Sequence, residues 1–124
     1  MTLGGCKVMA FLATRDGGRA RAFYETTLGF RVLSDDDFAL ALDAGGTMLR
    51  IQKVDRFTPH AFTALGWEVA DIARAVGELR GAGVAFEHFA GLGQDEAGVW
   101  LAPGGARVAW FKDPDGNTLS LTQL

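Results

Sequence analysis

The sequence predicts an α+β fold of two tandem βαβββ modules, whose curved mixed sheets surround a cleft. Short apolar runs alternate with turns rich in glycine and aspartate, which is typical of short strands. Two other segments repeat apolar residues at three- and four-residue steps, the spacing of one helical face. The pattern then occurs a second time, which indicates a duplicated unit. We therefore expect one domain over 1–124, with modules at 7–54 and 62–124 and an insertion at 91–105.

The first module begins with an apolar run at 7–13, which predicts a buried strand. A helix is expected next, over 19–28, and Gly29 can end it in a left-handed conformation. Its apolar face consists of Ala20, Phe23, Tyr24 and Leu28. Three more strands are predicted at 30–33, 38–42 and 48–54.

The second module repeats this order. An apolar run at 62–69 predicts a strand, and a second amphipathic helix follows it and ends at Gly83. Asp71 aligns with Asp16, because each of them joins a strand to a helix. Within the insertion, the run at 99–102 predicts one extra short strand.

A turn near the end of the chain fixes the faces of the last two strands. Residues 113–116 read Asp-Pro-Asp-Gly, which favours a type I turn followed by a left-handed glycine. Such a hairpin pairs Trp110 with Ser120 on one face and Phe111 with Leu119 on the other. The second face is more apolar and should pack on the helices, so the first looks into the cleft. The same parity in the first module turns two polar residues toward the cleft, Arg50 and Gln52.

Composition excludes several classes of function. The formal charge of -3 at pH 7 and the scattered basic residues argue against nucleic acid as a partner. Arg15 and Asp16 interrupt the N-terminal apolar run, so we expect neither a signal peptide nor a membrane span, and a cytoplasmic location. Cys6 is the single cysteine, and a lone thiol is more often incidental than catalytic.

The predicted cleft has the composition of a small-molecule site. Both faces of the first strand are apolar, so its face away from the helices must be covered by a ligand or by a partner subunit. Trp67 has the opposite parity and is expected in the core, whereas Glu68 is a polar point of the cleft. The expected ligand-binding residues combine apolar, aromatic and polar side chains: Met9, Phe11, Arg50, Gln52, Trp100, Trp110 and Ser120.

Two polar side chains in this set have more than one interpretation. Arg50 could hold a carboxylate or phosphate through two parallel hydrogen bonds, or it could form an ion pair with Glu68 or lie at a solvated rim. Glu68 is a weak candidate for a catalytic base, a role that would require its burial. Trp100 and Trp110 could serve as stacking platforms or simply as packing residues.

With these residues in view, the sequence resembles the vicinal oxygen chelate superfamily, which includes glyoxalase I, bleomycin-resistance proteins and extradiol dioxygenases. The resemblance covers nearly the whole chain. It is carried by RAFY at 21–24, LGF at 28–30 and WFKDPDGN at 110–117. It implies a glyoxalase/bleomycin-resistance-like fold and a homodimer.

The resemblance also implies four metal-ligand positions, which fall here on Met9, Arg50, Ala64 and Ser120. None of them is a usual ligand of a divalent ion, and the charge of Arg50 would oppose one. We therefore expect no metal and no cofactor. A displaced metal site would have to use His60 or His88, whose spacing fits no short ligand motif; the alternative is that both are exposed or capping histidines.

Two classes of function follow from these expectations. The first is a metal-independent binding protein of the glyoxalase/bleomycin-resistance type, whose ligand is an aromatic or anionic small molecule. The second is a lyase, isomerase or dioxygenase-like enzyme of the same superfamily, metal-free or with unusual metal ligands. A protein whose interior is filled by its own side chains, serving only in assembly, is a third possibility.

Overall fold

A computed structural model describes residues 2–124 and divides the chain into two compact units. The first unit ends at Thr58, and the second is Pro59–Leu124. Each unit contains one four-stranded mixed sheet and one main helical segment. The predicted α+β fold of two βαβββ modules is therefore confirmed.

The first unit follows the predicted order of elements with small shifts of their ends. After a short 3-10 turn, Leu3–Gly5, its elements are β1 (Met9–Thr14), α1 (Gly17–Arg21), a π-helical turn (Ala22–Thr27), β2 (Arg31–Asp35), β3 (Ala39–Asp43) and β4 (Met48–Lys53). The sheet order is β1-β4-β3-β2, with β1 parallel to β4 and the other pairs antiparallel. A parallel first pair needs a crossover connection, which the helical segment provides.

Helix α1 begins two residues before the predicted start, because Asp16 caps it. The Asp16 carboxylate accepts a hydrogen bond from the backbone N–H of Arg19 at 3.1 Å, as a typical N-cap does. The helix then widens into the π-helical turn, where the Leu28 N–H donates to the Phe23 carbonyl at 2.9 Å. Gly29 ends the segment with φ of 79°, as the sequence predicts.

The core of the first unit lies between its sheet and this helical segment. Alternate residues of β3 and β4 turn toward the helix, and the side chains buried there include Tyr24, Leu40, Leu42, Leu49 and Ile51. Each such side chain contributes about 1.5–3 kcal/mol to folding when it is removed from water. The opposite face of these strands carries Arg50 and Gln52 together with Ala39 and Ala41, and the two alanines are also buried.

The second unit has the same topology as the first. Its elements are β5 (Leu65–Glu68), α2 (Ile72–Gly81), β6 (Trp100–Leu101), β7 (Arg107–Lys112) and β8 (Thr118–Gln123). The sheet order is β5-β8-β7-β6, and β5 runs parallel to β8. The short strand predicted at 99–102 forms β6, and it occupies the position in this sheet that β2 has in the first. It is thus the second strand of the module rather than an additional one.

The two helix starts show the duplication at the level of dihedral angles. Asp71 accepts from the Arg74 N–H at 3.1 Å, which repeats the bond between Asp16 and Arg19. The backbone at Asp16 has φ of -145° and ψ of 96°, and at Asp71 these angles are -138° and 97°. The predicted alignment of the two aspartates is confirmed.

Helix α2 covers one face of the second sheet. Its buried residues, Ile72 and Val76, belong to the side that packs against β7 and β8. The helix ends in a Schellman motif, in which the Val84 N–H donates to the Leu79 carbonyl at 2.9 Å and Gly83 has φ of 97°. The strand residues below it are buried: Ala109, Phe111, Leu119 and Leu121.

None of the helices within residues 2–124 combines the length and the hydrophobicity that a membrane-spanning segment requires.

Candidate functional site

The turn between β7 and β8 sets the faces of the second sheet. The Asp113 carboxylate accepts hydrogen bonds from the backbone N–H groups of Asp115 and Asn117, at 3.0 and 2.9 Å, and from the Asn117 side-chain amide at 2.8 Å. Gly116 takes the left-handed conformation, with φ of 91°. The resulting register pairs Trp110 with Ser120, as predicted. The face of the sheet that carries this pair looks away from α2.

Three aromatic side chains lie together on this outward face. The ring of Trp110 meets that of Phe89 edge to face, with centroids 5.5 Å apart and planes at 85°. The Trp100 ring lies 6.0 Å from Trp110 at a tilt of 33°. Phe89 is 45% exposed, and both tryptophans are partly exposed. We call Phe89, Trp100 and Trp110 the aromatic trio.

Trp110 is held in place by a hydrogen bond at its polar end. Its indole N–H donates to the Thr63 hydroxyl at 3.2 Å. Because this bond fixes the ring while the residue stays partly exposed, Trp110 can act as an apolar contact surface with little loss of conformational entropy on binding. Trp67 belongs to the opposite face, as predicted, where its ring stacks at 6.5 Å from that of Phe111.

Phe89 comes from the loop between α2 and β6, and one side chain organises this loop. The amide oxygen of Gln94 accepts the Phe89 N–H at 2.7 Å. The amide nitrogen of Gln94 donates to the carbonyls of Glu87 and Gly98, at 2.9 and 2.7 Å. The Glu87 N–H donates in turn to the Trp110 carbonyl at 2.8 Å, so the loop is joined to β7. Gln94 therefore determines where Phe89 stands.

A pocket of 440 Å³ opens beside the trio within the second unit. It falls in the size range of small-molecule sites. Lys112 and Thr118 form the next pair on the face that carries Trp110 and Ser120. Both residues line the pocket. The other lining residues are Pro59, His60, Ala61, Phe89 and Gly116. His60 is exposed, and its ring stacks on that of Phe62 at a centroid distance of 4.8 Å.

Two further residues of the second unit that were singled out from the sequence, Ser120 and Glu68, have the strand parity of the same outward face. Ser120 is 7% exposed and stands over Gly66, where an added Cβ would lie 2.5 Å from its hydroxyl oxygen. Glu68 pairs with Thr122 and is exposed, so it lacks the burial that a catalytic base would need. His88 is also exposed and belongs to the loop that carries Phe89.

The predicted residues of the first unit share the sheet face away from α1. Phe11 pairs with Arg50 in the register, and Met9 pairs with Met48 two residues earlier on the same face. Phe11 is 53% exposed and Met9 47% exposed, and both belong to β1, an edge strand of the sheet. Arg50 is partly buried between Phe11 and Ala41, and Gln52 is exposed. The parity predicted for these residues is confirmed, and their role in binding stays a prediction.

The resolved pKa shifts of the first unit belong to a surface network. The ammonium of Lys53 and the guanidinium of Arg21 hold the pKa of the Asp35 carboxyl below its ordinary value of 3.8. The pKa of Asp36 is lowered mainly because its carboxylate accepts the N–H groups of Ala39 and Phe38, at 2.9 and 2.8 Å. The pKa of the Arg21 guanidinium is raised by its bonds to Glu25 and Asp35. These ion pairs orient the side chains and do not form a site for proton transfer.

The four metal-ligand positions implied by the resemblance do not fit a divalent ion. Within the first unit these are Met9 and Arg50, and within the second they are Ala64 and Ser120. They offer one thioether, one hydroxyl, one methyl group and one permanent cation, which is not a donor set for such an ion. Within residues 2–124, no group of three or more His, Cys, Asp or Glu side chains could hold a metal.

None of the seven residues that line the pocket was predicted from the sequence as a ligand-binding residue: Pro59, His60, Ala61, Phe89, Lys112, Gly116 and Thr118. Strand parity could have indicated Lys112 and Thr118 as pocket residues, because they lie on the same face of the sheet as Trp110. Phe89 and His60 lie in loops, where no periodicity shows which way a side chain points.

Comparisons with known proteins agree with this architecture. A family model described as the Glyoxalase/Bleomycin resistance protein/Dioxygenase superfamily matches residues 7–121. The search of curated proteins found no match.

Several solved structures have the same fold. One is a glyoxalase/bleomycin resistance protein/dioxygenase from Alicyclobacillus acidocaldarius, with 19% identity and a TM-score of 0.75 over 99% of this chain and 94% of that one. A bleomycin resistance determinant encoded on the transposon Tn5 has 25% identity and a TM-score of 0.74, over 94% and 96% of the two chains. A superfamily member from Sphaerobacter thermophilus has 25% identity and a TM-score of 0.72, over 95% and 96%.

Proposed function

The chain belongs to the Glyoxalase/Bleomycin resistance protein/Dioxygenase superfamily, and from this premise we propose that it binds a small aromatic or anionic molecule without a divalent metal ion. The observation that carries the proposal is the aromatic trio, which stands partly exposed on the face of the second sheet that α2 leaves open. A bleomycin resistance determinant is among the structures that share the fold.

The trio suits an aromatic ligand for a physical reason. A ring that packs on Trp110 removes apolar surface from water and gains a further ~0.5–1.5 kcal/mol from the geometry of the aromatic pair. The indole is already fixed by its bond to Thr63, so binding costs little side-chain entropy. Phe89 and Trp100 lie near the same indole, with ring centroids 5.5 and 6.0 Å from it, and would limit the orientation of the ligand.

Arg50 supports an anionic ligand independently, on the face of the first sheet. Arg50 pairs with Phe11 and Ala41 in the strand register. After the hydrogen bonds from backbone N–H groups, its charge also helps to lower the pKa of Asp36, so it already attracts a carboxylate. A carboxylate or phosphate there could form two parallel hydrogen bonds with it. The substitution Arg50→Ala is expected to weaken the binding of an anion at this face, whereas an unchanged affinity would remove Arg50 from the site.

The absence of a metal requirement is proposed from the chemistry of the donors. Met9, Arg50, Ala64 and Ser120 stand where metal-dependent relatives would place imidazole, carboxylate or amide ligands. A guanidinium at one of these positions repels a cation at close range. The ligand would then be held by stacking, hydrogen bonds and charge pairing alone.

The proposal can be tested by NMR with an internal control. The chain has three tryptophans, and each gives one indole N–H signal, which Trp→Phe variants assign. Titration with 2-naphthamide, a neutral bicyclic aromatic, is expected to shift the signals of Trp110 and Trp100 in a saturable way. The signal of Trp67, on the opposite face, should not move. Equal shifts of all three, or no shift, would contradict the proposal.

The enzymatic alternative has less support from the side chains. Glu68 faces the same side as the trio, but its side chain is exposed to solvent. A lyase, isomerase or dioxygenase-like activity of this superfamily therefore stays a prediction. The finding that would favour it is a transition metal at one equivalent per chain after purification without chelator.

We also propose that the chain forms a homodimer. The exposed apolar side chains Met9, Phe11 and Met48 on the first sheet would be covered in such an assembly. Light scattering at micromolar concentration is expected to give twice the mass of 13.2 kDa, and a monomer would contradict the proposal. Cytoplasmic location stays a prediction.

A further inference from the structure

We infer that the second unit recognises an aromatic carboxylate, and that Lys112 binds the carboxylate in the pocket while the trio packs against the ring. The inference rests on the proposed function and names the class of ligand. It also places the anion on residues other than Arg50.

The register of β7 and β8 brings the two ends of such a ligand site together. Lys112 and Thr118 form the pair next to Trp110 and Ser120 on the outward face. Residues two apart on a strand are separated by about 6.6 Å, which is close to the length of a small aromatic acid. Phe89 belongs both to the trio and to the pocket wall, so the apolar surface continues from one end to the other.

The charges of the pocket favour an anion. Its lining includes the ammonium of Lys112 and the imidazole of His60 but no carboxylate. The hydroxyl of Thr118, a residue that is 6% exposed, can rotate to donate a hydrogen bond. One ammonium and one hydroxyl suit a singly charged carboxylate better than a phosphate, which needs more donors and has no guanidinium here.

The present partner of Lys112 can give way to a ligand. The Lys112 ammonium lies 3.4 Å from the Glu87 carboxylate, and the two side chains are 52% and 33% exposed. Ion pairs as exposed as this one contribute little to stability. A ligand carboxylate inside the pocket would have less contact with water than Glu87 and could replace it, while the methylene groups of Lys112 continue the apolar wall.

The test uses calorimetric titration of the full chain with three probes of the same shape. These are 2-naphthoate, neutral 2-naphthamide and cationic 2-naphthylmethylammonium. We expect 2-naphthoate to bind about five to twenty times more tightly than 2-naphthamide, because the Lys112 ammonium then pairs with a full negative charge instead of a neutral carbonyl. The cationic probe should bind more weakly than the amide.

Two substitutions should change this preference in opposite directions. Lys112→Met removes the charge but keeps the aliphatic chain, and it should make naphthoate and naphthamide bind equally. Glu87→Gln removes the competing carboxylate and should increase the preference for naphthoate by about twofold or more, since Lys112 becomes free to pair. Arg107→Met is the matched control, because this cation lies on the same strand with the parity of the opposite face.

Each outcome decides something. If naphthoate and naphthamide bind the unmodified chain equally, or if Lys112→Met behaves like Arg107→Met, the inference is overturned while the proposed function stands. If none of the three probes binds, the proposed function itself is overturned. A loss of folding in Lys112→Met, visible by circular dichroism, leaves the opposite effect of Glu87→Gln to decide the question.

Discussion

The rings of Phe89 and Trp110 are nearly perpendicular, with planes at 85° and centroids 5.5 Å apart. Trp110 is fixed by a strand, but Phe89 stands in a loop with few regular hydrogen bonds of its own. Its position depends on Gln94, whose amide binds the Phe89 N–H and two carbonyls of the same loop. The arrangement of the aromatic trio therefore depends on the order of this loop.

Removal of the Gln94 amide should therefore weaken the binding of aromatic probes. Gln94→Leu leaves three backbone groups without their partner, and we expect a loss of about 1–3 kcal/mol in the free energy of unfolding. The affinity for 2-naphthamide should fall more than tenfold, and the indole signal of Trp110 should broaden or shift. Gln94→Glu keeps an acceptor for the Phe89 N–H and should recover part of the affinity. Glu96→Leu, an exposed change in the same loop, should have little effect on either quantity.

Gly66 provides a second prediction, because no side chain fits above Ser120. An added Cβ would lie 2.5 Å from the Ser120 hydroxyl oxygen and 3.3 Å from its carbonyl oxygen. Gly66→Ala should destabilise the chain by about 1–3 kcal/mol in urea denaturation. The double variant with Ser120→Ala should recover most of this loss. Gly77→Ala, in α2 where nothing lies within 4 Å, should instead stabilise the chain by ~0.5–1 kcal/mol.

The turn at Asp113 should tolerate little change. Asp113 is 6% exposed, and its carboxylate accepts three hydrogen bonds from Asp115 and Asn117. Asp113→Ala is expected to lower the free energy of unfolding by about 2–4 kcal/mol, because buried donors lose an ionised acceptor. Asp95 is the exposed counterpart, whose carboxylate accepts the N–H groups of Ala97 and Val99 at 2.9 Å. Asp95→Ala should cost clearly less, and equal losses would contradict this account of the turn.

The stability of the chain should depend on pH through Asp35. Its pKa in the folded chain lies below the ordinary 3.8, because it pairs first with Lys53 and then with Arg21. Its contribution to stability is therefore complete above the unfolded pKa and is lost as pH falls through the folded pKa. Denaturation curves measured between about pH 5 and pH 2 should show this decline.

Lys53→Met is the variant that isolates this effect. It should raise the pKa of Asp35 toward its ordinary value and make the decline shallower. The pKa of Asp36 is lowered mainly by backbone N–H groups, so that part of the pH dependence should persist in the variant. A curve with the same slope as the unmodified chain would show that the Asp35 pair does not contribute.

Much of the fold could be predicted because local chemistry and periodicity determine it. The Asp-Pro-Asp-Gly turn permits one hairpin register, and the observed pairs of Trp110 with Ser120 and of Phe111 with Leu119 follow from it. The two capping aspartates, Asp16 and Asp71, likewise determine where each helix begins. Such features depend on residues a few positions apart.

The parts of the site that were missed depend on contacts between distant positions. The location of Phe89 depends on hydrogen bonds of Gln94, and nothing in the sequence of the loop reveals them. β6 has only two residues, too few for its pattern to show that it completes the sheet. Parity correctly assigned Met9 and Phe11 to one face, but it could not show how exposed they are.

Binding of a small aromatic molecule without a metal ion is best tested by calorimetric titration of 2-naphthamide with and without excess EDTA. We expect saturable binding with the same Kd in both conditions. Binding that disappears in EDTA and returns when Zn²⁺ or Mn²⁺ is restored would contradict it.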